Sequence, residues 1–204
     1  SAPVIVCDFI TARDSTPLIK ATRFIKRRVY TRVVDLVQGV SATARVGLFI
    51  ARYNAYRFDS RKEDDRSLRR CLMERLNSAK DHATNVLDYA QRNDNRDLRH
   101  QIKQTIDAID IFKNDSNLAE TGHKRPFFSS KSAASVGSLK RLVELDAAVL
   151  EETERITKAL GELEKAVAAG EEGVVSASGN IWSAVTAAHN HFSKRIHYIK
   201  GFGD

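Results

Sequence analysis

Three histidines stand close together near the C-terminus: His189, His191 and His197. His189 and His197 are eight residues apart, which on a helix sets them on roughly one side. Imidazoles so placed could bind a metal or move a proton. They equally suit the end of a basic helix, where their charged form complements the macrodipole, and that second reading is the expectation. One Glu-x-x-His occurs, Glu120 to His123. A di-iron bundle needs two such pairs and two further inward glutamates. The two cysteines, Cys7 and Cys71, lack zinc-ligand spacing and make no disulfide framework. They read as free thiols of a reducing compartment, and Cys71 falls on an inward helical stripe, where a thiol is unreactive. Neither the phosphate-cradling glycine loop nor the dinucleotide fingerprint is present. The expectation is therefore a protein that is not an enzyme, with no catalytic, cofactor-binding or metal-binding residues, no cofactor and no small-molecule substrate.

The other chemistry on offer is charge. Residues 1–60 hold ten basic residues against four acids, a balance of +6 beside a whole-chain formal charge of +7. Lys20, Arg23, Arg27, Arg28 and Arg32 fall largely opposite an apolar face formed by Leu18, Ile25, Val29, Val33, Leu36 and Val40. Cations behind an aliphatic stripe are the pattern of a helix that lies on an anionic surface. These five are the candidate polyanion-binding residues.

That face requires a helix. Asp14-Ser15-Thr16-Pro17 is a start signal, because serine caps free N–H groups and proline is tolerated in the first turn. The stripe predicts one continuous amphipathic helix from Ser15 to Phe58, broadening through Val46, Leu48, Phe49, Ile50, Tyr53 and Tyr56. Gly39 and Gly47 mark a close helix crossing or a bend. Ahead of it, Val4 to Ile10 is a β-branched and aromatic run with no second strand to pair with, read as an extended arm.

Ser60 and Glu63 form a capping-box pattern opening a second helix to about Gln91. A third spans about Arg96 to Lys113, and an irregular stretch runs from Asn114 to Ser132. The fourth helix, about Ser135 to Ala169, carries the cleanest periodicity. Leu142, Leu145, Val149, Ile156, Leu160, Leu163 and Val167 recur three, four or seven apart, a heptad seam that packs on a partner helix. Its surface is acidic, with nine acids and three bases from Glu144 to Glu172. A fifth helix, about Ser178 to Lys200, presents Ile181, Trp182, Val185, Phe192 and Ile199, with Trp182 as a core anchor.

The fold class is thus all-α: an elongated bundle of four to five long antiparallel helices with coiled-coil-like packing and a short extended N-terminal arm. Residues 1–14 form the arm and 15–204 a single helical domain. No run of about 18 apolar residues exists, so no spanning helix is expected. The functional expectation is a non-catalytic scaffold that self-associates, a homo-oligomer whose basic first helix meets an anionic membrane. A nonspecific nucleic-acid coat or packaging protein is the alternative, with Tyr30, Tyr53 and Tyr56 near the cations. A helical subunit of a larger complex is a second alternative. Pairing of the basic helix with the acidic fourth helix is the reading that needs no outside ligand. The expected location is intracellular, cytoplasmic or peripheral to a membrane. Ser1-Ala2-Pro3 is compatible with removal of an initiator methionine or of a longer leader, so the expectation leaves an organelle address open.

Overall fold

The computed structural model describes residues 41–119, 126–131 and 134–201. The chain divides into two compact units, Ser1–Ser41 and Ala42–Asp204, and every element below belongs to the second. The elements are α1 (Ala42–Gly47), a 3-10 turn (Phe58–Ser60), α2 (Arg61–Arg92), α3 (Arg96–Leu118), α4 (Pro126–Ser129), α5 (Val136–Ala168) and α6 (Val174–Lys200). Among the described residues there is no strand; the fold is an all-α bundle. The N-terminal arm, the expected helix up to residue 40, the five candidate polyanion residues and the Glu120–His123 pair lie outside the described residues.

Four long helices carry the bundle. α2 and α3 form one hairpin and α5 and α6 another, each joined by a short turn, so the partners within a hairpin are antiparallel. Between hairpins the direction is parallel. Arg75 meets Glu154 and, further along both helices, His82 meets Glu164; likewise Gly179 lies over Gln101 while Phe112 stacks near Phe192. The expected all-antiparallel order therefore holds only within each hairpin.

Local chemistry explains the boundaries. Asn95 caps α3 by accepting the Leu98 N–H at 3.1 Å, and Ser135 caps α5 by accepting the Ser138 N–H at 3.1 Å. Gly173 opens α6 at φ +83°, a left-handed conformation that costs glycine little. The inward stripes meet in one core: Leu68, Leu72, Leu76 and Val86 from α2, Ile102, Ile109 and Phe112 from α3, and Val185 and Phe192 from α6, packed on the α5 seam. Each such side chain contributes roughly 1.5–3 kcal/mol relative to exposure.

Several expectations are corrected. The helix expected to continue to Phe58 ends at Gly47. Nothing lies within 4 Å of a side chain built on Gly47, so it marks a stop and not a close crossing. The chain then turns through Arg52, Ala55 and Tyr56, all with positive φ, and Leu48 is 78% exposed in place of continuing an apolar face. Ser60 makes no side-chain cap; its hydroxyl donates to the Arg57 carbonyl and to Asp64 Oδ2, because the Asp64 carboxylate is already turned toward the preceding turn. α3 runs through Leu118, beyond the expected end at Lys113, with Ser116 buried. A helical turn, α4, interrupts the stretch expected to be irregular. α6 begins at Val174, four residues early. Trp182 is 42% exposed, because Ile181 occupies the core position and the next residue rotates about 100° away.

Across the α2–α5 interface, His82 Nδ1 lies 2.6 Å from Glu164 Oε2 and Asn85 donates to Glu164 Oε1 at 2.8 Å. The hydrogen bond from His82 holds the Glu164 carboxyl below the usual range, aided by Asn85. A depressed carboxylate stabilises the fold above its unfolded pKa, and that contribution is lost as pH falls through the folded value. Glu164→Gln is therefore expected to be less stable than the parent at about pH 6, with the gap closing toward about pH 3. Urea unfolding midpoints across that range check it.

Candidate functional site

The densest polar cluster of the described residues sits at the end of the bundle where α2 and α5 begin and α6 finishes. Its centre is Arg195, a fully buried guanidinium in the last third of α6. Its Nε donates to Asp146 Oδ1 of α5 at 2.6 Å. Its Nη2 donates to Asp65 Oδ1 of α2 at 2.6 Å and to the Tyr56 hydroxyl at 2.6 Å. Tyr56 in turn donates to Asp146 Oδ2 at 2.5 Å, where the Tyr53 hydroxyl also donates at 3.0 Å. Asp65 has a second cation, Arg69, whose Nε lies 3.1 Å from Oδ2 and whose Nη1 donates to the Ala119 carbonyl. Two carboxylates and two guanidiniums close the charge balance.

The tyrosines arrive on the 48–57 segment, and a third carboxylate shapes that segment. Asp64 accepts the backbone N–H of Asn54 at 3.1 Å and of Tyr56 at 2.8 Å. This holds Arg52, Ala55 and Tyr56 at φ 64°, 52° and 60°, a region that disfavours side-chain-bearing residues by roughly 1 kcal/mol or more each. Arg61 completes the brace. Its Nε donates to the Tyr56 carbonyl and its Nη1 to the carbonyls of Phe127 and Ser130, with the guanidinium over the Phe127 ring.

Burial governs the ionisation here. It pushes the Tyr53 and Tyr56 hydroxyls far above their usual range, so both remain donors. It also raises the Asp146 carboxyl, opposed by Arg195 and by the three hydrogen bonds that carboxylate accepts. Burial works against the Arg195 charge as well, but Asp146, Tyr56 and Asp65 outweigh it and its pKa rises. Arg195 is the fixed cation, and the carboxylates order around it. Its Nη1 has no hydrogen-bond partner among the described residues, a cost of roughly 1–3 kcal/mol for a buried donor. The cluster presents no nucleophile beside a base; its chemistry is that of a structural lock joining α2, α5, α6 and the 48–57 segment.

The residues singled out from sequence fall elsewhere. Leu142, Val149, Ile156, Leu160, Leu163 and Val167 are buried, and Leu145 is half-buried. Their helix, α5, packs on α2 and α6 of the same chain. His189 lies 2.7 Å from Asp115 Oδ2 and His191 2.8 Å from Glu152, so each tethers α6 to a different neighbour. His197 is exposed. Among the described residues no three His, Cys, Asp or Glu side chains gather as metal ligands. Cys71 is buried and burial raises its thiol pKa.

Sequence reasoning missed Arg195, Asp65 and Asp146, although a signal existed. Asp146 stands four after Leu142 and three before Val149, Arg195 three after Phe192 and four before Ile199, and Asp65 three before Leu68. Each is a charged residue in the core register of its helix. Compared with known proteins, the chain matches no family, no curated protein and no solved structure.

Removing one partner of a buried ionic cluster leaves the others uncompensated. Arg195→Met is expected to cost about 3–5 kcal/mol, whereas Tyr56→Phe, which removes one hydroxyl at constant shape, is expected to cost about 1–2 kcal/mol. Denaturant unfolding of the two variants measures both, and equal small losses would contradict the ranking.

Proposed function

We propose that this chain is a non-catalytic helical scaffold that self-associates and lays its basic N-terminal segment on an anionic membrane surface. The observation that carries this reading is where the acids of α5 and of the turn that follows it are engaged. Of the nine from Glu144 to Glu172, five are held by cations or histidines of the second unit. Asp146 is held by Arg195, Glu151 by Arg45, Glu152 by His191, Glu154 by Arg75 and Lys158, and Glu164 by His82. The other four, Glu144, Glu162, Glu171 and Glu172, are exposed.

The acidic helix is thus largely matched by its own unit. The seven basic residues from Arg13 to Arg32, interrupted only by Asp14, call for negative charge from elsewhere. An apolar stripe beside them suits the headgroup boundary of a bilayer, where each basic residue near an anionic surface contributes about 1 kcal/mol. Among the described residues no helix is long and apolar enough to cross a membrane, and the proposed contact is with a surface.

Nucleic acid is the less favoured polyanion. The first aromatic rings of the described chain are engaged: Arg75 lies over Phe49, and the Tyr53 and Tyr56 hydroxyls are tied to Asp146, whereas sequence-tolerant binding of single strands uses free stacking rings. Self-association would use exposed faces, because the α5 seam packs inside its own bundle.

Co-sedimentation of the full chain with phosphatidylserine-containing and with pure phosphatidylcholine vesicles tests the reading. Binding is expected only to the anionic vesicles. It should weaken with salt and be lost in the variant carrying Arg23→Gln, Arg27→Gln, Arg28→Gln and Arg32→Gln. Equal binding of the variant and the parent, or binding to neither vesicle, rejects it.

A further inference from the structure

We propose that the bundle end where α5 begins and α6 finishes is a second contact surface for an anionic lipid headgroup layer. This inference rests on the membrane reading above and adds to it a separate set of residues.

The surface is continuous through the last two turns of α6. Ser138, Lys194, His197 and Tyr198 line one open hollow, and Leu118, Ile196, His197 and Lys200 line the next. The Tyr198 hydroxyl donates to the Ser138 carbonyl at 3.3 Å, and the Arg141 guanidinium lies 5.6 Å from the centre of the Tyr198 ring. This places Arg141 beside Lys194. Lys140 neighbours Arg141 in sequence, and all four cations, Lys140, Arg141, Lys194 and Lys200, are exposed. Among the described residues two acids lie close. Asp115 is engaged by His189 at 2.7 Å, and Glu144 stands one turn further along α5.

Two features point to lipid. First, among the described residues the two most exposed large aliphatics outside the 48–57 segment stand at this end: Val136, 86% exposed, and Leu118, 75% exposed. Water penalises both, and a headgroup boundary rewards an aliphatic flanked by cations. Second, Lys140 and Arg141 in the second turn of α5, with Lys194 and Lys200 near the end of α6, set four exposed cations beside those aliphatics, a combination that an anionic surface answers. Nucleic acid would call for exposed aromatic rings, and the ring in the described patch, Tyr198, is half-buried with Arg141 over it.

The experiment uses the full chain and titrates phosphatidylserine/phosphatidylcholine vesicles, pure phosphatidylcholine vesicles and oligouridylate. One variant carries Lys140→Gln, Arg141→Gln, Lys194→Gln and Lys200→Gln; another carries Leu118→Ser and Val136→Ser. Far-UV circular dichroism should show both as helical as the parent, since every changed side chain is exposed. The charge variant is expected to bind anionic vesicles at least roughly tenfold more weakly, and the aliphatic variant several-fold more weakly. Parent-like affinity in both variants overturns this surface. If the variant with its N-terminal arginines replaced by glutamine loses binding in that same titration, the N-terminal reading survives alone. If the bundle-end variants lose binding and that N-terminal variant does not, the surface stands and the N-terminal reading falls. A parent that binds oligouridylate but neither vesicle overturns both.

Discussion

A guanidinium with no solvent exposure cannot shed its proton and cannot stand alone, so everything around Arg195 must answer its charge. The answer comes from three different elements. Asp65 reaches in from the start of α2, Asp146 from the second turn of the α5 seam, and Tyr56 from the segment that precedes α2. A one-turn slip of any of the three helices would separate a carboxylate from its cation inside the core. Buried ion clusters add little net stability over well-packed aliphatics. What this one supplies is register: the rest of the bundle's apolar stripes would tolerate several alignments, and the charges accept one.

The same cluster accounts for the odd backbone of 48–57. Three residues with side chains adopt positive φ in five positions, which is unfavourable locally. It persists because both tyrosine hydroxyls reach Asp146, Asp64 collects two backbone N–H groups, and Arg61 ties the Tyr56 carbonyl to Phe127 and Ser130. Local strain is offset by tertiary contacts, and the apolar stripe that could have continued as helix gives way.

Much of the bundle was legible in advance. The leucine and isoleucine spacings of α2, α3 and α5 named most of the core, because a period near 3.6 leaves few other ways to bury that surface. Asn95 and Ser135 sit at the helix starts that residue type alone suggests. Legibility failed where tertiary contacts decide. Tyr53 and Tyr56 continue a helical pattern on paper, yet their hydroxyls are needed elsewhere. Ser60 and Glu63 match a capping box, but Asp64 is already committed to the preceding turn. Trp182 and Ile181 are adjacent and both apolar, and only packing chooses between them. Asp65, Asp146 and Arg195 could each be flagged as charges in a core register. That they meet is a fact of topology, not of spacing.

The central claim is that Arg195 is a sealed cation whose Nε and Nη2 are held by Asp146, Asp65 and Tyr56. Hydrogen exchange of its side-chain Nε–H, followed by nitrogen-resolved NMR, tests it most directly. The account predicts a resolved signal that exchanges as slowly as the amides of the α2 and α5 core. Exchange at the rate of a solvent-exposed guanidinium would contradict it.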